Sequence, residues 1–263
     1  MWRLMVMWVM IVSSVKGQGV HTGLRSGQAV LGSPGQTLWG ELAYPAATWS
    51  TDAALGVFGE KRFMTDLNFF ELGFRAGLGK QLLQFHMYRE GNPALYDLGA
   101  SASIAKKISK ELSIAARVGY TLTQAKGYAS RGHPVAGLGA FFSFNEKCRW
   151  ALQADGINSF FAVDGDKNFL VRTAVGYKLS ELAAVSVEFV KEDQHPVQTV
   201  TALSYSFMEG LSASIGYSLQ LGSFLFGLNF EHGGAAVMIT TSYHGSLGPG
   251  AGLSLLYQIK RKE

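Results

Sequence analysis

From about residue 50 onward, apolar and polar side chains alternate with a period of two, and this rhythm decides most of what the chain can become. Leu211, Ala213, Ile215, Tyr217 and Leu219 alternate with Ser212, Ser214, Gly216, Ser218 and Gln220. Leu112, Ile114, Ala116, Val118, Tyr120 and Leu122 interleave with Ser113, Ala115, Arg117, Gly119, Thr121 and Thr123. Phe70, Leu72, Phe74, Ala76 and Leu78 do the same against Glu71, Gly73, Arg75 and Gly77. Successive strand side chains point to opposite faces, so each segment has one apolar face and one small or polar face. The second face also holds charges. A β-sandwich core would not accept them unpaired, whereas a barrel interior would. The pattern predicts an all-β fold: a transmembrane antiparallel up-and-down β-barrel with an N-terminal plug-like segment.

Composition supports this. Charged residues are 16% of the 263, hydrophobic ones 48% and aromatic ones 12%, with 32 Gly. Soluble domains carry about a quarter charged residues, while a lipid-facing barrel needs fewer and needs aromatic girdles. The spacing predicts about fourteen strands, at 52–60, 67–78, 81–90, 95–108, 111–124, 134–144, 148–158, 168–179, 182–191, 197–208, 211–221, 223–231, 235–244 and 251–260. Every second connection is terse, from Gly79-Lys80 and Ser109-Lys110 to His232-Gly233-Gly234. The intervening ones are mostly longer, with Gly222-Ser223 the short exception. That parity fits periplasmic turns alternating with extracellular loops. Gly210 to Phe230 is uncharged and long enough for a spanning helix, but its alternation has no meaning on a helix.

The inward candidates are Glu71, Arg75, Arg117, Arg149, Asp155, Arg172 and Glu188. They would line a path or anchor the plug, and their balanced signs favour internal pairing over an ion-selective pore. Val118-Gly119-Tyr120-Thr121-Leu122, Val175-Gly176-Tyr177-Lys178-Leu179 and Ile215-Gly216-Tyr217-Ser218-Leu219 share one form. Tyr120, Tyr177 and Tyr217 would lie on the lipid side near an interface, with the glycines facing inward. A lateral opening at a strand break would support a conduit, and Gly137 and Gly139 on the sixth strand are the candidates for one.

Residues 1–17 read as an export signal: Arg3, the apolar stretch Leu4 to Val12, then small Ser13, Ser14 and Gly17. Residues 18–50, rich in Gly, would form the plug or a periplasmic segment, and 51–263 the barrel. Without Arg3 and Lys16, 21 basic residues stand against 19 acidic ones, which gives no footprint for nucleic acid. Cys148 is alone, so no disulfide framework or thiolate cluster is expected. His86, His133, His195 and His244 fall near predicted extracellular ends, as does Ser130. No Gly-x-Ser-x-Gly elbow is present, and Gly127 to Gly132 has the wrong spacing for one. Glu192-Asp193-Gln194-His195 reads as a polar loop. The sequence therefore points away from an enzyme, a metal site or a cofactor.

Three stretches resemble a known family. Gly27-Gln28-Ala29-Val30, with Leu38-Trp39 and Tyr44-Pro45-Ala46-Ala47, is similar to an N-terminal Gly-x-Ala segment followed by Asn-Pro-Ala. Phe58-Gly59-Glu60-Lys61-Arg62-Phe63 resembles an aromatic-Glu-x-Arg-Phe element. Ser242-Tyr243-His244-Gly245-Ser246-Leu247-Gly248, then Leu253 to Tyr257, resembles a terminal Ser-Tyr-His-Pro-x-Leu-Gly hairpin. All three look like the FadL-type outer-membrane barrels, in the PorV/PorQ-like branch linked to type IX secretion. Tyr44 stands where that family has Asn, Gly245 where it has Pro, and the chain ends on Lys260 to Glu263 rather than on an aromatic residue. The resemblance implies a bacterial outer-membrane barrel, non-enzymatic, docking secretion-system components or secreted proteins among outer-membrane lipid. The alternative it implies is a conduit for small hydrophobic molecules.

Overall fold

The computed structural model describes residues 37–47, 52–62, 66–79, 81–157, 169–192, 195–245 and 248–259. The expected export signal, the rest of the 18–50 segment including Gly27 to Val30, Phe63, Ser246-Leu247 and Lys260 to Glu263 lie outside these residues. A short helix, α1 (Leu38–Ala43), and a 3-10 turn (Pro45–Ala47) precede fourteen strands. These are β1 (Ala53–Arg62), β2 (Asn68–Leu78), β3 (Gln81–Gly91), β4 (Leu95–Lys107), β5 (Leu112–Ala125), β6 (Arg131–Ser143) and β7 (Cys148–Asp155). Then follow β8 (Leu170–Lys178), β9 (Ala183–Glu192), β10 (Gln198–Met208), β11 (Leu211–Ser218), β12 (Ser223–His232), β13 (Ala235–His244) and β14 (Gly248–Ile259). Each strand pairs antiparallel with its neighbours in sequence. β1 closes the barrel on β14, from Ala53↔Ile259 to Arg62↔Gly250.

Four strand ends depart from the sequence reading by three residues. β6 begins three residues earlier than expected, at Arg131, and so takes Pro134 into a strand. The described β6–β7 ladder covers only Gly137–Ser143, so no β7 partner needs the N–H that Pro134 lacks. β7 stops at Asp155 and β11 at Ser218, while β14 starts at Gly248. Gly222-Ser223 is accordingly not a two-residue turn; the connection is 219–222, closed by Gly222 at φ 57°.

The turn parity holds with less contrast than expected. Connections at one end run from two to four residues, and those at the other from three to fourteen. One device recurs at the short-turn end. The Ser109 hydroxyl accepts from the N–H groups of Glu111 and Leu112, at 3.1 and 3.0 Å. Ser180 does this for Leu182 and Ala183, and the Asn145 carboxamide for Lys147 and Cys148. A side-chain oxygen thus reverses the chain where no cross-strand partner is available. At the β10–β11 turn the reversal instead uses Gly210 in the left-handed region (φ 77°), which a side chain would strain.

Along every strand the apolar alternation faces outward, as with Phe70, Val118, Leu138 and Phe224, all more than half exposed. α1 is seated against the inner wall at the short-turn end. Thr37 caps it by accepting from the Gly40 N–H at 3.1 Å. Its buried face, Leu38, Trp39 and Leu42, packs on Ala54 and Phe58 of β1. Tyr44, Ala46 and Ala47 pack on Leu82, Ala105, Ala115, Phe141, Ala151 and Ala174, the inward residues of β3 to β8. Small inward residues make this seat. A Cβ on Gly56 would stand 2.9 Å from Leu38, and one on Gly73 would overlap Leu42.

Gly73→Ala is therefore expected to cost about 1–3 kcal/mol through overpacking, and Leu42→Ala in the same chain to return part of that loss. Urea unfolding of the folded chain, followed by tryptophan fluorescence, measures the coupling; strictly additive losses would place Leu42 away from Gly73.

Candidate functional site in the barrel interior

The inner segment 38–47 is tied to the wall at four places by polar contacts from four strands. The Trp39 indole N–H donates to Ser254 Oγ on β14, at 2.8 Å. Arg75 on β2 donates to the Glu41 carboxylate, both side chains being buried. Arg117 on β5 donates to the Leu42 carbonyl. The Tyr44 hydroxyl donates to Glu188 Oε1 on β9, at 2.6 Å. Burial, followed by the neighbouring Glu188 carboxylate, raises the Tyr44 phenol well above its ordinary range. It therefore stays protonated and remains a donor. Hydrogen bonds to ionised groups are stronger than neutral ones, and three of these four ties involve Arg75, Arg117 or Glu188.

The anchors join a wider network. Arg117 Nη1 also contacts Asp155 Oδ2 at 3.0 Å, and Gln153 donates to Asp155 Oδ1 at 2.7 Å. Arg172 stands opposite Gln153 in the β7–β8 register, on the same inward face. On β2 and β3, His86 Nε2 lies 2.5 Å from Glu71 Oε1. Toward the long-loop end, Ser242 donates to Glu60 at 3.1 Å and Thr123 to Asp97 at 2.5 Å. Opposite charges in a confined interior meet in pairs, which offsets the cost of desolvating them.

The seven inward candidates take these places. Glu71, Arg75, Asp155, Arg172 and Glu188 are buried on the inner face. Arg117 is almost enclosed, and Arg149 is half-buried on the same alternation of β7, toward the short turns. The structure brings Arg117 to Asp155, while Arg75, Arg117 and Glu188 reach the inner segment. Tyr120 and Tyr177 project outward, 53% and 44% exposed, and Tyr217 packs outside against the Phe224 ring at 4.8 Å.

Two sequence readings are corrected. Gly137 and Gly139 do not break the wall, for the ladder runs through both, as Arg117↔Gly137↔Asp155 and Ala115↔Gly139↔Gln153. Their missing side chains make room for others: a Cβ on Gly137 would overlap the Asp155 carboxylate, and one on Gly139 the Gln153 carboxamide. His86 is not near an extracellular end. It lies in the middle of β3, pointing inward at Glu71.

Sequence reasoning missed Trp39, Glu41, Tyr44 and His86 as members of the network. Glu41 left a signal, being the one carboxylate in the otherwise apolar stretch Leu38–Ala47; a buried carboxylate there requires a cation elsewhere. Among the described residues no group of three or more His, Cys, Asp or Glu is placed to hold a metal ion.

No family model matches the chain, and no curated protein matches it. Solved barrels do. The monoaromatic hydrocarbon channel CymD superposes with a TM-score of 0.66 at 11% identity, over 87% of this chain and 94% of that one. The Pseudomonas putida toluene transporter TodX gives 0.57 at 9% identity, over 87% and 94%. The Acinetobacter baumannii outer membrane protein Omp33 gives 0.53 at 9% identity, over 80% and 98%. At these identities the likeness is one of fold.

Arg75→Met leaves the Glu41 carboxylate buried without its guanidinium and is expected to cost about 3–5 kcal/mol. Adding Glu41→Gln should recover part of this, and Tyr44→Phe alone should cost about 1–3 kcal/mol. Urea unfolding reads all three; losses below roughly 0.5 kcal/mol, the range of surface substitutions, would mean that the inner segment is not held by these groups.

Proposed function

We propose that this chain is an outer-membrane channel protein that conducts small hydrophobic molecules. One observation carries the reading: the barrel is closed in its wall, and the segment seated in its interior rests on apolar packing and on four side-chain contacts, with no strand pairing to the wall. An element secured in this way serves as a plug that can shift without breaking a strand. The outward alternation is apolar over the middle of every strand, which suits a lipid surround. The closed ladder leaves no unpaired backbone edge for that lipid to meet.

The interior also carries apolar clusters: Phe58 and Phe69 meet at 5.8 Å beside Trp39, and Val200, Ala202 and Leu225 form a second one. The fold likeness to channels described as carrying monoaromatic hydrocarbons and toluene supports the same class of solute. The docking role in protein secretion, implied by the sequence resemblance, gains nothing from these comparisons and stands second.

Expression in the outer membrane of a host lacking such a channel is expected to raise toluene uptake several-fold. Entry of glycerol, a hydrophilic solute of similar size, should stay at the background level. Equal acceleration of both solutes would indicate a general pore, and acceleration of neither would return weight to the docking role.

A further inference from the structure

Charge is sorted between the two faces of this barrel more sharply than hydrophobicity is. Every carboxylate on a described strand takes the inward alternation, as Glu60, Glu90, Asp97 and Glu192 do near the long-loop end. The outward alternation of the described strands carries Lys or Arg but no acid: Lys61, Arg89, Lys106 and Lys191, each within two residues of a strand end. Lys106 lies at the short-turn end. Lys191 is engaged by its own loop, donating to the His195 carbonyl at 2.6 Å.

Lys61 and Arg89 remain, exposed at the long-loop end and separated by a single strand. Lys61 stands opposite Asn68 on β2, and Arg89 opposite Phe70 on the same strand. Arg89 is oriented before any partner arrives. Its guanidinium lies 4.7 Å from the centre of the Tyr96 ring, and the Tyr96 hydroxyl donates to Gln124 at 2.6 Å. A guanidinium laid over an aromatic ring keeps its N–H edges available to a planar or tetrahedral oxyanion. Lys61 lies 3.7 Å from Asp66, and both side chains are more than half exposed; a surface pair of this kind holds its lysine weakly. Phe70, level with Arg89, and Met87, two residues nearer the middle of β3, continue the outward apolar surface into the wall.

We propose that this patch binds the anionic phosphate of a lipid headgroup in the leaflet at the long-loop rim. Arg89 and Lys61 take the phosphate oxygens, and the acyl chains lie along Phe70 and Met87. The inference rests on the membrane reading above. It adds a defined lipid site to it, on the outside of the wall, away from the interior path.

The test uses the full-length, delipidated protein in detergent. It is offered an equimolar mixture of dimyristoylphosphatidic acid and dimyristoylphosphatidylcholine, and the bound lipids are counted by native mass spectrometry. The wild-type chain should retain the phosphatidic acid preferentially. The double substitution Lys61→Gln with Arg89→Gln should lower the ratio of the two adducts about thirtyfold, the effect of removing two interfacial cations. Lys191→Gln should leave it unchanged. A ratio within twofold of wild type in the double variant, or an equal drop in Lys191→Gln, overturns the site. Displacement of the lipid by millimolar inorganic phosphate would also overturn it, showing that a soluble anion is the true ligand. Insertion into vesicles, read by the heat-dependent gel shift, separates the two ideas. An inserted barrel without lipid preference sinks this site alone, and a barrel that fails to insert sinks the membrane reading.

Discussion

The ladder between β1 and β14 is the contact on which the rest of the molecule depends. Each other strand finds its partner next to it in sequence, but this pair joins the two ends of the barrel, ten residues against ten. Without it, two strand edges would present unpaired N–H and C=O groups, open to pairing with other chains. With it, the wall has an inside and an outside. Alternation along each strand then sorts side chains between two environments with no further instruction.

What fills the inside follows from that sorting. Buried inward charges meet one another or the inner segment, as Arg117 meets Asp155 and Arg75 meets Glu41, while His86 lies against Glu71. Glycines on the inward alternation serve the same arrangement. Gly56 and Gly73 make room for α1, and Gly137 and Gly139 for Gln153 and Asp155. A side chain omitted from one strand thus becomes space for a polar group on the next. The interior is a built structure with both polar and apolar surfaces, and the conduit reading draws on both: polar contacts that hold a movable segment, and the apolar patches beside it.

The outside obeys a different restriction. No carboxylate lies on its described strands, and its cations keep to the rims, where the chain would meet headgroups. Arg89 on Tyr96 shows that such a rim can be ordered as well as charged. The channel reading and the lipid site therefore come from opposite faces of one wall, and neither borrows residues from the other.

Nearly all of the wall was legible in the sequence. Strand number, antiparallel order and the face of Glu71, Arg75, Asp155, Arg172 and Glu188 follow from a period of two, because strand geometry converts sequence parity directly into direction. Boundaries were legible to within about three residues, failing where a proline or a turn could belong to either state, as at Pro134 and Ser218. The interior was much less legible. That Glu41 meets Arg75, Tyr44 meets Glu188 and His86 meets Glu71 depends on which inward residues stand at the same height after the sheet curls and closes. Height is set by the register of every ladder around the barrel, a sum over many pairings that no local pattern contains. Parity by itself determined which side of the wall each residue faces; only closure decided which residues meet.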